Sequence, residues 1–195
     1  MSTETNSERI SIINTICSSL SDKDIERGSK IIKERYPFIP YKQESRKYSD
    51  AVKLRIFMRD GFIDRYSGDQ LVFPGVLKII SNIYPNDFPY QTNWKMSECH
   101  MAWWHLYPTI DHIEPIAVGG HNHDKNLVST SMLHNSIKSN FTLDELQWEL
   151  HPPGNLDDWD GLLGWFMEYV KENQFLFEDR FIKKWYSTPR KLITY

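Results

Sequence analysis

The sequence predicts an α+β fold, with a small strand–loop–strand–helix centre enclosed by N- and C-terminal helices. Three observations predict it. Apolar residues recur at helical spacing near the start of the chain, two short β-type runs flank a glycine loop between Thr109 and Val128, and the stretch from Asp157 to about Trp185 is aromatic and helical in pattern. The 195 residues allow one sizeable domain, and 40% hydrophobic with 25% charged residues predicts a packed core rather than disorder. The expected organisation is a helical region over 1–50, a core over 51–150 with an insertion at about 73–106, and a helical region over 151–195 packed on that core in one compact domain.

Each element has its own signal. Ile10, Ile13, Cys17 and Leu20 mark an amphipathic helix over Ser7–Leu20, and a second helix over Asp22–Glu34 ends before Pro37 and Pro40. Ser49 caps a third helix, buried through Val52, Leu54, Ile56 and Phe57 and stopped at Asp60-Gly61. Residues Phe62–Val72 alternate and turn like a β-hairpin. Helices follow over Gly75–Tyr84 and Ser97–Leu106, separated by an irregular stretch marked by Pro85, Pro89 and Asn93. Thr109–Ile113 and Asn126–Val128 read as strands around the polar loop Gly119–Asp124. A helix over Ser131–Asn140 comes next, then a capping box, Thr142 with Glu145, opening a helix to Leu150. His151-Pro152-Pro153-Gly154 breaks it before the aromatic C-terminal helices.

Composition narrows the function classes. The longest apolar runs, such as Leu77–Ile80, are too short to span a membrane, and Met1–Arg9, with Glu4 and Glu8, lacks the basic-then-apolar order of a secretory signal. The two cysteines, Cys17 and Cys99, form no Cys-x-x-Cys pair, which suits a reduced, cytoplasmic chain. A formal net charge of −3 means that any contact with nucleic-acid phosphates must come from local patches, not from the overall field.

The chemistry-bearing residues lie between Asp111 and Lys138. A carboxylate, Asp111, stands beside an imidazole, His112; a glycine loop, Asn126, and then Asn135 and Lys138 follow. A strand–loop–strand–helix arrangement would bring them together. Phosphodiester hydrolysis needs such a set, because a hard divalent cation prefers oxygen ligands such as Asp111 and Asn135 and stabilises charge on the phosphate. A neutral histidine beside it can deprotonate the attacking water.

At these residues the sequence resembles the HNH (ββα-metal) nuclease family. The resemblance is carried by Asp111-His112-Ile113, Pro115, Gly119-Gly120, Asn126-Leu127-Val128 and Asn135 through Lys138, and extends over roughly Met58 to Asn140. It implies a ββα-metal centre with His112 as general base, and Asp111 and Asn135 as ligands of one Mg²⁺ or Mn²⁺ ion. Asn126 would fix the loop and orient the histidine from behind, and Lys138 would contact a phosphate or brace the site. The products would carry a 5′-phosphate and a 3′-hydroxyl.

The sequence departs from the family where many members hold a structural zinc with two Cys-x-x-Cys pairs. Those positions fall on Asp64 and Ser67, and on Ser131 and His134. Without thiolates no structural zinc is expected there. Packing must take its place, with the insertion carrying Trp94, Trp103 and Trp104 as the candidate. Arg55, Arg59 and Arg65 are candidate phosphate contacts, with solvated surface charge as the competing account. His121 and His123 are expected in solvent, Glu114 is expected to be a surface carboxylate, and Cys99 with His100 and His105 makes only a weak metal set. The cluster Trp159, Trp165, Phe166 and Tyr169 is expected in the core rather than on a base-stacking surface.

The expected function is therefore metal-dependent cleavage of DNA, in duplex form first and with RNA as the alternative. A restriction or other defence role suits a nuclease of this length, and a homodimer would turn two nicks into a double-strand break. The rival is a non-cleaving DNA-binding or scaffold protein with the same shape.

Overall fold

The structure is a computed structural model that describes residues 5–38 and 48–192. Glu4 and Pro40, used above as sequence signals, lie outside the described residues. The chain divides into two compact units, Met1–Ser45 and Arg46–Tyr195.

The first unit holds α1 (Asn6–Ser21) and α2 (Ile25–Arg35). Thr5 and Glu8 close a capping box on α1, and the Asp24 side chain accepts from the Arg27 amide to start α2. Ile12 and Ser19 are buried, and a Cβ on Gly28 would stand 3.8 Å from that of Ser19, so small residues set the approach of the two helices.

The second unit is mixed, helix-rich α+β. It runs α3 (Asp50–Arg59), α4 (Pro74–Ile83), α5 (Ala102–His105), β1 (Pro108–His112), β2 (Leu127–Ser131), α6 (Met132–Lys138), α7 (Leu143–Leu146), α8 (Leu163–Glu172) and α9 (Arg180–Leu192). Ser49 caps α3 through the Val52 amide, as its position predicts. The core gathers on Phe73, whose ring centroid lies 4.9 Å from that of Phe166, 5.3 Å from Trp185 and 6.3 Å from Phe62. Each such buried aromatic contributes on the order of 2 kcal/mol from surface removed from water. Gly75 is required for this packing, since a Cβ there would sit 2.3 Å from Phe166. Among the described residues no helix is long and apolar enough to cross a membrane.

The sheet is the two-stranded antiparallel pair β1–β2, in the register Pro108↔Ser131 through His112↔Leu127. The Ile113 amide extends it by donating to the Asn126 carbonyl. The chain passes directly from β2 into α6, which Ser131 caps by accepting from the His134 amide at 3.0 Å.

Four expected elements differ. The Phe62–Val72 hairpin reduces to one bridge, Ile63↔Gln70, because the Arg65 amide leaves the ladder for the Ser129 carbonyl at 2.9 Å. The Ser97–Leu106 helix shrinks to a turn at Met96–Glu98 and α5, interrupted by extended backbone at Cys99. The helix opened by the Thr142–Glu145 box stops at Leu146, where Gln147 turns left-handed. Residues 157–162 form turns, and α8 and α9 are separated by the Gln174–Glu178 turn. Of the expected core cluster, Phe166 is fully buried, but Trp165 is 44% exposed and stacked on Tyr169.

Candidate active site

Asp111, His112 and Asn135 line one cleft of about 400 Å³. Two of them come from the last residues of β1 and the third from α6, so the turn from β2 into α6 is what joins them.

Helix α6 is fastened to β1 by two side chains. Asn135 Nδ2 donates to Thr109 Oγ1 at 2.9 Å and to the Ile110 carbonyl at 3.2 Å. Lys138 Nζ donates to the His112 carbonyl at 2.7 Å and lies 3.0 Å from Asp111 Oδ2. Residues three apart on a helix share a face, and carbonyls two apart on a strand share an edge. The spacing of Asn135 and Lys138 thus matches that of Ile110 and His112. Because both donor contacts fix the Asn135 amide nitrogen, its Oδ1 is left as an acceptor at the cleft wall.

Asp111 is half-committed. Its Oδ2 receives Lys138 and the Tyr66 hydroxyl, the latter at 2.8 Å, while no donor among the described residues reaches Oδ1. Burial, reinforced by the Asp111 carboxylate, pushes the Tyr66 hydroxyl far above the ordinary phenol range, so it stays protonated as a donor.

His112 is buried, and its Nε2 lies 2.7 Å from Asn122 Oδ1 and 3.2 Å from the Tyr48 hydroxyl. The Tyr48 hydroxyl also donates to Asn122 Oδ1 at 3.1 Å. An amide oxygen only accepts, so in this arrangement Nε2 carries the ring proton and Nδ1 the lone pair. No donor among the described residues reaches Nδ1.

Asn126 acts on the loop. Its Oδ1 accepts from the Glu114 amide at 2.8 Å, and its Nδ2 donates to the carbonyls of Glu114 and His121, each at 2.9 Å. The side chain that meets the imidazole is Asn122, not Asn126. Gly120 completes the loop, since a Cβ there would lie 1.9 Å from the Glu114 carbonyl oxygen.

The three arginines named as candidate phosphate contacts are each engaged within the protein. Arg59 and Arg65 both reach the fully buried Asp60, at 2.8 Å and 3.2 Å, and that carboxylate also accepts from the Ser129 amide at 2.7 Å. Arg59 further holds the carbonyls of Asp124 and Leu127, and Arg65 that of His151. Arg55 pairs with the Asp124 carboxylate. These cations anchor α3 and the Arg65 turn to β2 and the loop before it.

Asp64, Ser131 and His134, three of the positions aligned with zinc cysteines, do meet. Asp64 Oδ2 accepts from the Ser131 amide at 2.8 Å and contacts His134 Nδ1 at 2.7 Å; Oδ1 accepts from Thr130 Oγ1 at 2.8 Å and the Tyr66 amide at 3.0 Å. Burial alone would raise this carboxyl, but the bonds from His134, Ser131 and Tyr66 outweigh it and hold it below the usual range. A carboxylate with its lone pairs filled closes this corner. The tryptophans proposed for the task pack elsewhere, with Trp103 buried against Tyr90 and Tyr107.

Sequence reasoning missed Asn122, Tyr48 and Tyr66, which fix His112 and Asp111, and Trp94, Tyr107 and Lys53, which line the cleft. No periodicity marks them. The one local clue is that Asn122 lies in the polar loop already named. No protein-family model matches the chain, and no match is found among curated proteins or solved structures.

Proposed function

We propose that the chain is a metal-dependent endonuclease of the HNH type, hydrolysing DNA phosphodiester bonds at a ββα-metal centre built from β1, β2 and α6. The observation that carries this reading is the sharing of one cleft by His112, with an open Nδ1 lone pair, and the oxygen-bearing side chains of Asp111 and Asn135.

The donor chemistry fits a Mg²⁺-class ion. Asp111 Oδ1 and Asn135 Oδ1 are hard oxygen donors, one charged and one neutral, and such ions are commonly held by one or two protein oxygens together with substrate phosphate and water. A bound ion would supply the positive charge that stabilises the phosphate in the transition state. His112 takes a proton from water at Nδ1 while Nε2–H remains on Asn122, which holds the ring in the productive tautomer. Lys138 positions rather than binds. It holds the carbonyl of His112 and one oxygen of Asp111, fixing both residues relative to α6.

One observation favours the rival, non-cleaving reading: Asp111 Oδ2 is already paired with a buried lysine. A plasmid-cleavage assay with Mg²⁺ or Mn²⁺, chelator controls and His112→Ala decides between them. The expected result is metal-dependent nicking or cutting that falls at least about a hundredfold in His112→Ala. Cleavage undiminished in that variant sinks the mechanism, and inactivity on DNA and RNA alike favours the binding protein.

A further inference from the structure

The cleft holds aromatic residues that hydrolysis does not use. Trp94 and Tyr107 line it together with His112 and its neighbour Tyr48, and Lys53 is the one Lys or Arg among the described lining residues. Trp94 is half-buried and held at φ +57, a conformation unusual for a bulky side chain and worth explaining where it occurs beside a site. The turn is built around it. Gln91 Oε1 accepts from the Asn93 amide at 2.6 Å and the Lys95 amide at 3.4 Å, and the Gln91 carbonyl accepts from Trp94 itself at 3.1 Å. The indole is then fixed edge-to-face against Tyr107, Trp103 and Trp104, with centroids at 4.9, 6.0 and 6.0 Å. The result is a rigid aromatic surface in the same cleft as His112.

We infer that this cleft takes an unpaired nucleobase stacked against Trp94, so that the substrate class is nucleic acid with an unstacked nucleotide at the scissile phosphate. A base still paired and stacked in a duplex cannot enter a cavity, and base–aromatic stacking tolerates any base because each has a π face. Charge points the same way. The chain carries −3 overall, and Arg55, Arg59, Arg65 and Lys138 are each paired with a carboxylate of this unit. A protein that gripped duplex by counterion release would need such cations free of carboxylate partners, and these four are already paired. The inference rests on the nuclease reading for the role of the neighbouring phosphate.

The test compares a single strand, the same sequence fully paired, and the duplex with one bulged nucleotide. Binding is measured on His112→Ala in chelator with fluorescent oligonucleotides, so it requires no cleavage; cutting is measured on the wild-type chain with Mg²⁺ or Mn²⁺. The expected result is tighter binding of unpaired substrates by roughly tenfold or more, retained in Trp94→Phe and lost in Trp94→Ala and Trp94→Leu. Preference for the single strand identifies that source; preference for the bulge alone identifies a base extruded from duplex. Equal or tighter binding of the paired duplex overturns the inference, as does a preference that survives Trp94→Leu. Should Trp94→Ala fail to fold, Trp94→Phe against Trp94→Leu decides. Failure of the nuclease reading is separate, and shows as no His112-dependent cleavage of any of the three.

Discussion

Lys138 Nζ donates to the main-chain carbonyl of His112 at 2.7 Å from a side chain with no solvent exposure. Among the described residues the ammonium is met by that carbonyl, by Asp111 and by the face of the Tyr66 ring, so the contact holds helix to strand and has no surplus hydration to fall back on. Lys138→Met should therefore cost about 3 kcal/mol and reduce cleavage along with stability. Urea unfolding measures the first; an unchanged midpoint would contradict the positioning role.

Asp64 makes a sharper prediction because its partners are donors. Asp64→Asn keeps the shape but turns one acceptor oxygen into a donor, leaving the Ser131 amide or the Thr130 hydroxyl unmet at a cost of about 1–3 kcal/mol. The pH dependence follows from the lowered carboxyl. A group with a depressed folded value contributes its stability above the unfolded value of about 3.9 and loses it as pH falls through the lower folded value. The gap between wild type and Asp64→Asn should be full at pH 7 and close progressively below about pH 4. A gap that persists undiminished in acid removes the ionised carboxylate from the explanation.

Asn122 tests the tautomer. Asn122→Ala removes the acceptor at His112 Nε2 and should slow cleavage about tenfold or more with the fold retained, since the side chain is exposed. Asn122→Asp substitutes a carboxylate, which favours the imidazolium. The acid limb of the kcat/KM profile should then move to higher pH. A limb that stays in place would mean that Asn122 does not act through the imidazole.

Arg65 separates anchoring from substrate binding. Arg65→Ala strips a guanidinium from the buried Asp60 and should lower stability by about 3 kcal/mol. The salt dependence of DNA binding, which counts phosphate contacts, should not change. A shallower salt slope with normal stability would restore the arginine to the interface.

The sequence was most informative where the information is local. The Ser49 cap and the Thr142–Glu145 box are side chains meeting amides three residues on, and both are found where the spacing puts them. Asp111, His112 and Asn135 were legible as a set and do share a cleft. The failures are non-local. Asp64 meets Thr130 and His134 from 66 and 70 residues away, and Tyr48 meets His112 from 64 residues away, so no window of sequence contains both partners. The 62–72 segment alternates like a hairpin, yet Asp64 and Arg65 turn their bonds toward β2, and that demand overrides the pattern.

The paired grip of Asn135 and Lys138 on β1 has a consequence for assembly. A slip of one residue in the hairpin would turn the Ile110 and His112 carbonyls away from α6 and carry the Asp111 carboxylate to the other face, leaving the buried ammonium without its counter-charge. A misregistered molecule is then not a durable inactive form but one that reopens and tries again. The contacts that align Asp111, His112 and Asn135 also proofread the hairpin, so the molecules that persist are those whose cleft is correctly set.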